Sequence, residues 1–293
     1  MTWVIWFVVS YLYAHFYRLL HNNLRINLPG LGWLMRSMKR DLVLQVRGVK
    51  LYMHRPIAGS NAMQLINRWN EPETHQFLDA LMEGMDAPVT FIDVGANIGE
   101  LVMDMARKEC VKSVYAFEPV DDCVHSMAVS VALNAFHNVH LRHTAVSNKI
   151  GTVQFNYSAT NPGCSGIDGS GNKIMQVPTT TLDIEFPQRI QNPILLIDVE
   201  GAEKDVLAGG ASFVQRERPL IIFEYNNVSR SRFNLEQMRD VLGPEYEIYR
   251  LRQRDGLLDN DFDDTWNCVA IHRQSVYYSK CQPLIVGNSK TSL

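Results

Sequence analysis

The sequence predicts an α/β fold with a mainly parallel central sheet, and three observations support this prediction. Apolar strand-like runs alternate with helix-like segments from about residue 89 onward, which is typical of βαβ units. Four of these runs end on a carboxylate, at Asp93, Glu118, Asp198 and Glu224. The 293 residues are 46% hydrophobic, which is enough for a large core, and the formal charge is only −3. Disordered, collagen-like and disulfide-stapled miniprotein classes are therefore excluded.

Residues 1–41 form a segment unlike the rest of the chain. The run WVIWFVVSYLYA, residues 3–14, carries no charge, and basic residues outnumber acidic ones seven to one in residues 1–50. A helix over residues 3–20 would measure about 27 Å, against roughly 30 Å for the hydrocarbon core of a bilayer. We expect a hydrophobic N-terminal helix that either anchors the chain in or on a membrane, with the next domain on the cytoplasmic side, or packs on that domain or in an oligomer contact.

The segments that follow are assigned in chain order. Alternating runs around Arg47-Gly48 predict a hairpin over residues 42–54, and Asn70-Glu-Pro-Glu-Thr predicts the start of a helix. Polar, glycine-rich residues between two alternating runs predict a β-hairpin insertion over about residues 152–181. The remaining predicted strands are Val89–Val94, Val114–Phe117, Val139–Val146, Ile194–Val199, Leu220–Tyr225, Tyr246–Leu251 and Asn267–His272, with helices at Leu101–Lys108, Asp122–Ala135, Ala202–Leu207 and Leu235–Leu242.

These assignments give one domain over residues 42–278 and a C-terminal tail over residues 279–293. The five cysteines stand at spacings that match no zinc or redox motif. That pattern favours a reducing compartment, and so a cytoplasmic location for the domain.

The first carboxylate lies in a turn that suits a bound ligand. The apolar strand ending at Asp93 runs into Gly95, Asn97 and Gly99 and then into a helix. Glycines allow the backbone to approach a ligand closely, and the start of a helix offers free N–H groups. The spacing of its glycines is not that of a G-x-G-x-x-G motif. A triphosphate-binding loop is also disfavoured, because no lysine follows the turn.

A second carboxylate, Glu118, ends the next strand, about 20 residues after the turn. In nucleotide-binding βαβ units an acid at this place accepts hydrogen bonds from the ribose hydroxyls. The alternative for Glu118 is a surface acid before the turn residue Pro119.

A third group of acids occupies the end of a later strand, in the run Asp198-Val-Glu200-Gly-Ala-Glu203. Carboxylates this close repel one another, so a purely structural role is disfavoured, although the helix dipole could account for Glu203. Glu224 ends the following strand. Because the carboxyl ends of parallel strands share one edge of the sheet, these acids are expected at the usual ligand crevice.

Taken together, four motifs resemble the FkbM family of S-adenosylmethionine-dependent methyltransferases. They are the turn from Asp93 to Gly99, Glu118-Pro119, the run from Asp198 to Glu203 and the strand end at Glu224, with Asn70–Glu73 and the run from His143 to Gly151 also similar. The resemblance implies a Rossmann-like class I methyltransferase fold and, usually, O-methylation of a hydroxyl on a sugar or natural product. It also implies S-adenosylmethionine binding by Asp93, Gly95, Asn97 and Gly99, with Glu118 on the ribose.

The chain departs from this family at Leu196, where the family often has a lysine directly before Ile-Asp-Val-Glu-Gly. If that lysine assists substrate binding or catalysis, the substrate or the mechanism differs here. A chain of the same fold without activity, tethered to a membrane as a binding protein, is therefore kept as an alternative.

For the chemistry, Asp198, Glu200 and Glu224 are the predicted catalytic residues, because methyl transfer needs the acceptor hydroxyl oriented and relieved of its proton. His143 is a less favoured base. No metal ligands are assigned, but a pair of Asp198 and Glu200 holding Mg²⁺ against two acceptor oxygens is an open alternative.

The expected partner is a small-molecule or lipid-linked hydroxyl acceptor, with membrane association through residues 1–40. No nucleic acid is expected, because the chain after residue 50 is acidic. A nicotinamide-dependent dehydrogenase is the rival enzyme, since it uses a similar turn and ribose acid. The missing glycine fingerprint counts against it.

Overall fold

The computed structural model describes residues 41–54, 67–157, 166, 173–263 and 265–287. The hydrophobic helix predicted over residues 3–20 and the last six residues lie outside these ranges, and the membrane assignment stays a prediction of the sequence. Within the described ranges, no helix has the length and apolar character needed to cross a membrane.

Thirteen strands form three sheets in the described part of the chain. The strands are β1 (Leu42–Val46), β2 (Val49–Met53), β3 (Val89–Val94), β4 (Val111–Phe117), β5 (Val139–Arg142), β6 (Ala145–Val146), β7 (Gly151–Tyr157), β8 (Lys173–Thr180), β9 (Pro193–Ile197), β10 (Leu220–Glu224), β11 (Tyr246–Leu251), β12 (Leu258–Asp259) and β13 (Asn267–His272). The central sheet has the order β12-β11-β13-β10-β9-β3-β4-β5.

Helices connect these strands. They are α1 (Pro72–Met82), α2 (Glu100–Ala106), α3 (Asp121–Leu133), α4 (Leu182–Glu185), α5 (Glu203–Ala208), α6 (Ala211–Glu217), α7 (Asn227–Arg232), α8 (Leu235–Leu242) and α9 (Tyr278–Cys281), followed by a 3₁₀ turn at Gln282–Leu284.

The central sheet confirms the predicted fold class, a Rossmann-like α/β fold of mainly parallel strands. Strands β5, β4, β3, β9 and β10 are parallel, and β13 runs antiparallel between β10 and β11. The three middle strands, β3, β9 and β10, are mostly apolar and buried along their whole length, because both of their faces are covered. Successive residues serve opposite faces: Phe91 belongs to one core cluster and Ile92 to the other.

The site is located by the order of the strands. The chain runs from β3 outward to β4 and β5 and then returns to β9 on the other side of β3. This reversal opens a crevice beyond the carboxyl ends of β3 and β9, which is where ligands bind in open α/β sheets.

Two smaller sheets flank the central one. The predicted hairpin β1–β2 is present, with Leu42 opposite Met53. The predicted insertion is also present as the antiparallel pair β7–β8, to which β6 adds in parallel. Phe155 and Tyr157 of β7 pack with Cys123 at the start of α3, so the insertion covers one end of the crevice.

The structure corrects the single strand predicted over Val139–Val146. The chain leaves the central sheet after Arg142, and β6 pairs with the insertion instead. The hydroxyl of Thr144 donates to the carbonyl of Pro178 (2.9 Å), which fixes the bend on β8. Four short helices, α4, α6, α7 and α9, were not predicted from the sequence.

Gly95 is required where the turns after β3 and β9 touch. Its φ is +91°, and an added Cβ would lie 1.8 Å from the carbonyl oxygen of Asp198. The N–H of Asp198 donates to the carbonyl of Val94 (2.9 Å). Only a residue without a side chain lets these two backbones remain in contact.

We predict that Gly95→Ala destabilises the protein far more than Gly84→Ala. Gly84 also has a positive φ (+61°) but has open space around it, so alanine there meets only backbone strain of about 1 kcal/mol. At Gly95 the clash with backbone adds an overpacking cost, for a total of about 2 to 4 kcal/mol. Urea unfolding of the two variants measures the loss in the free energy of unfolding for each. Equal losses would contradict the prediction, because they would show that the turns after β3 and β9 can move apart without further cost.

Candidate active site

Two pockets open at the carboxyl ends of β3, β4, β9 and β10. Their volumes are about 660 and 610 Å³ when the adjoining open solvent is included. Gly95, Asn97 and Asp198 line both pockets. The first pocket extends past Glu118 to Phe155 of the insertion, and the second extends past Asp93 to Asn267 of β13. The sequence-predicted turn therefore forms the border between two halves of one crevice.

Glu118 holds the border turn and faces the first pocket. Its Oε2 accepts the N–H of Asn97 (2.9 Å) and its Oε1 accepts the N–H of Val120 (2.8 Å). Burial raises the pKa of Glu118 to about 7, against the opposing effect of these two hydrogen bonds. Each carboxylate oxygen has a second lone pair, so two further hydroxyl donors can be accommodated.

Apolar side chains line the first pocket between Glu118 and the insertion. Its lining includes Phe117, Val120, Ala145, Val146 and Phe155. A flat heterocycle would be buried here beside a carboxylate that binds hydroxyls, which is the pattern of a nucleoside site.

Two neighbouring carboxylates, buried Asp93 and half-buried Glu71, line the second pocket. Asp93 is 2% exposed, and its Oδ1 meets no hydrogen-bond partner among the described residues. Burial raises the pKa of Asp93 to about 8, and the charges of Glu71 and Glu118 act in the same direction. Glu71 is oriented by Asn267 Nδ2 (2.9 Å) and by the hydroxyl of Thr74 (3.1 Å), both donating to its Oε2.

A buried histidine supports this pocket from behind. His75 of α1 is 2% exposed and lies between Asp104 and Glu100 of α2, with the ring of Trp69 stacked on it. Glu100 in turn accepts the N–H of Asn70, which lines the second pocket. The segment from Trp69 to Glu71 is thus fixed by polar contacts to α2.

The three predicted catalytic acids are gathered at the inner end of the crevice. Carboxylate oxygens of Asp198, Glu200 and Glu224 lie within 4.8 Å of one another, close enough to share a metal ion. Burial and then the charge of Glu224 raise the pKa of Asp198. Burial likewise raises the pKa of Glu200 to about 7, assisted by Glu203. For Glu224, burial and then the charge of Glu200 raise the pKa to about 9.

Glu203, the last acid of the same run, has a structural role. It is fully buried, and its Oε1 accepts the N–H groups of Gly201 (3.0 Å) and Val199 (3.3 Å). This carboxylate closes the turn before α5, in line with the helix-terminus alternative for Glu203.

Two other residues singled out in the sequence lie away from the pocket linings described above. Gly99 precedes α2 with φ +81°, and an added Cβ would lie 2.6 Å from Met127 Cγ, so glycine is needed here for close packing against α3. His143 is about half exposed at the rim, where its Nε2 contacts the carbonyl of Pro119 and the carboxylate of Asp121, both at 3.1 Å. It is absent from the acid cluster.

The sequence left several site residues unassigned. Glu71 and Asn70 stand within a motif that resembles the family but carried no assigned role. Asn267 comes 196 residues after the carboxylate it orients, and no local pattern marks such a partner. Leu196, at the place of the family's lysine, lines the second pocket and brings no charge to it.

The comparisons with known proteins point to one family. The family model described as "Methyltransferase FkbM domain" matches residues 93–255. No curated protein matches the chain. Among solved structures, the methyltransferase FkbM from Methylobacillus flagellatus KT has 14% identity and a TM-score of 0.46, over 73% of this chain and 53% of that chain. This chain therefore spans about half the length of the Methylobacillus protein.

Two further solved structures are similar at low identity. M. jannaschii TYW2 in complex with AdoMet has 11% identity and a TM-score of 0.45, over 80% of this chain and 85% of that chain. An rRNA methylase from Streptococcus thermophilus has 14% identity and a TM-score of 0.40, over 70% of this chain and 98% of that chain.

We predict that Asp93→Asn makes the protein more stable at alkaline pH. The pKa of Asp93 is raised to about 8 on folding, so its ionisation opposes the folded state. Protonated Asp93 contributes to the free energy of unfolding in full below its unfolded pKa near 4. This contribution is lost as the pH rises toward 8, by up to about 1.4 kcal/mol per pH unit. Asparagine removes this titration.

The measurement is urea unfolding of wild type and Asp93→Asn at pH 6, 7, 8 and 9, without ligands. The stability difference between them is expected to move in favour of the variant up to pH 8 and then level off. A difference that stays constant with pH would show that Asp93 ionises in the folded protein as it does in water.

Proposed function

The chain belongs to the FkbM methyltransferase family, whose model covers more than half of it, and from this premise we propose that it transfers a methyl group from S-adenosylmethionine to a hydroxyl oxygen. The observation that carries the proposal is the divided acidic crevice: a nucleoside-like half at Glu118 and a carboxylate half at Asp93. Family membership favours methyl transfer over the dehydrogenase alternative.

The residues of the first pocket fit the adenosine part of this cofactor. Glu118 has free lone pairs for both ribose hydroxyls, and the apolar wall that ends at Phe155 suits the adenine ring. The turn at Gly95 and Asn97 lies between this half and the next, where a sulfonium would lie close to Asp198.

The second pocket fits the methionyl part. Asp93 Oδ1 is buried with no partner in the described ranges, and Glu71 lies close enough to raise its pKa. A bound ammonium group would satisfy that oxygen and offset the repulsion between the two acids. The cofactor carries positive charge on the ammonium and the sulfonium and negative charge on its carboxylate, for a net charge of +1, which suits a crevice lined by carboxylates when the two cationic groups face them.

When bound, S-adenosylmethionine supplies a methyl group on an already activated leaving group, so the protein's task is to align the acceptor oxygen and manage its proton. Glu200 suits the proton step because its pKa is raised to about 7, near neutral pH. Burial favours the protonated forms of Asp198 and Glu224, which makes them hydrogen-bond donors that orient the acceptor.

The acceptor is proposed to be a sugar, glycolipid or natural product, either a small molecule or lipid-linked. An uncharged hydroxyl compound suits this inner end, because protonated Asp198 and Glu224 can donate hydrogen bonds to it, whereas a phosphate or carboxylate would be repelled by ionised Glu200. Membrane association through residues 1–40 stays a prediction of the sequence.

We predict that Glu118→Gln weakens binding of both S-adenosylmethionine and S-adenosylhomocysteine by about 10- to 100-fold, because charge-assisted hydrogen bonds to the ribose are lost. Isothermal titration calorimetry measures this. The matched control is Asp121→Asn, which removes an exposed carboxylate three residues away and is expected to bind normally. A folded wild type that binds neither compound would contradict the proposal, and binding without transfer to any hydroxyl acceptor would support the inactive binding protein.

We predict that Glu200→Gln lowers kcat by about 10²- to 10⁴-fold while cofactor affinity is kept, since the general base is lost. In the wild type, kcat should fall tenfold per pH unit below about pH 7, because protonation of Glu200 removes the base. The variant should lack this limb.

Adding EDTA to the same turnover assay tests the alternative that Asp198 and Glu200 hold Mg²⁺. A general base predicts turnover that is unchanged by EDTA. Turnover that EDTA abolishes and Mg²⁺ restores would instead assign these carboxylates to a cation. Unchanged kcat in Glu200→Gln would remove this residue from both roles.

A further inference from the structure

The imidazole of His75 has a carboxylate at each ring nitrogen. Its Nδ1 lies 2.6 Å from Asp104 Oδ2, and its Nε2 lies 3.3 Å from Glu100 Oε1. A neutral imidazole has one N–H donor, whereas the protonated ring has two. Two carboxylate acceptors therefore select the charged form of this buried side chain.

A chain of contacts leads from this imidazolium to the second pocket. The same Glu100 Oε1 accepts the N–H of Asn70 (2.7 Å), and the Trp69 ring stacks on His75 at 4.4 Å and 8°. Glu71 directly follows Asn70 in the chain and lines the second pocket with Asp93. Protonated His75 therefore fixes the backbone of Asn70 through Glu100 and the ring of Trp69 by stacking, just before Glu71.

Charged groups face His75 from each element packed against it. They are Glu71 and Glu73 at the start of α1, Asp93 at the end of β3, and Glu100 and Asp104 on α2, with Arg107 and Lys108 acting on Asp104. Burial by itself lowers the pKa of His75, but the hydrogen bonds to Asp104 and Glu100 outweigh burial and raise it.

We propose that His75, in its protonated form, is a positioning residue for the cofactor: it holds Glu100, and through Glu100 the segment from Trp69 to Glu71, in the place where that segment binds the methionyl ammonium. The inference rests on the proposed function and adds to it a residue that touches neither cofactor nor acceptor. Loss of the charge frees Glu100 from His75 and loosens one wall of the second pocket. Affinity for S-adenosylmethionine then falls, while alignment of the acceptor at Glu200 is unaffected.

The test compares wild type with His75→Gln, whose amide carries no charge. The KM and Kd for S-adenosylmethionine are expected to rise about tenfold, as for a lost charge-assisted contact, with kcat within twofold. The matched control is His140→Gln, which replaces a histidine that stacks on Tyr115 of the neighbouring strand. It should leave both constants unchanged.

A pH profile separates positioning from a merely structural role. Because the pKa of His75 is raised, its effect is complete below pH 6.5 and is lost as the pH rises through the higher, folded value. The ratio of Kd values, variant over wild type, should therefore be largest at low pH and approach one at high pH. Asp104→Asn keeps the shape of the side chain at His75 Nδ1 but removes the charge that raises the pKa of His75. In a protein that retains His75, this variant should therefore lose affinity for S-adenosylmethionine at a lower pH than the wild type does.

The outcomes are distinct. No binding of S-adenosylmethionine by folded wild type overturns the proposed function and this inference with it. Normal wild-type binding with a Kd ratio that is one at every pH, or a loss confined to kcat, overturns the inference alone. Should His75→Gln fail to fold, the Asp104→Asn profile decides: an unshifted profile overturns the inference.

Discussion

The N–H of Asp198 donates to the carbonyl of Val94, and this contact between the turns after β3 and β9 sets the distances within the crevice. It requires a residue without a Cβ at Gly95, and it brings the acids of two strands, 105 residues apart in sequence at Asp93 and Asp198, to one pocket. Glu118 extends the arrangement to a third strand by accepting the N–H of Asn97. The crevice is therefore a property of backbone packing at the strand reversal, and the carboxylates occupy positions that this packing provides.

Crowding these carboxylates costs stability, and that cost indicates what they bind. Burial and mutual repulsion raise the pKa of Asp93, Asp198, Glu200 and Glu224, so each ionised acid disfavours the folded state. A ligand with two positive charges offsets this repulsion where a neutral one does not. His75 shows the same principle inside the protein: the carboxylates of Asp104 and Glu100 at its two ring nitrogens favour its charged form and raise its pKa, although burial acts in the opposite direction.

Much of the fold could be predicted because its central strands are unambiguous. The runs at β3, β9 and β10 are mostly apolar and each has an acid at or beside its carboxyl end, so the sequence predicts both the strands and the edge of the sheet that bears the site. The division between β5 and β6 could not be predicted from the sequence, since it depends on a hydrogen bond from Thr144 to the distant Pro178. The acids at the strand ends could be predicted to share one edge of the sheet, but the placing of Asn267, which orients Glu71 from β13, depends on tertiary packing alone. Gly99 fits the turn pattern, and only its contact with Met127 shows that it serves helix packing.

The central claim is that one cofactor occupies both halves of the crevice, with its nucleoside at Glu118 and its amino-acid end at Asp93 and Glu71. A crystal structure of the protein with S-adenosylhomocysteine tests this most directly. The account predicts ribose hydroxyls within hydrogen-bond distance of Glu118 and the ammonium within that distance of Asp93 Oδ1. Density for the ligand with its ammonium outside the second pocket, or with its ribose away from Glu118, would contradict it.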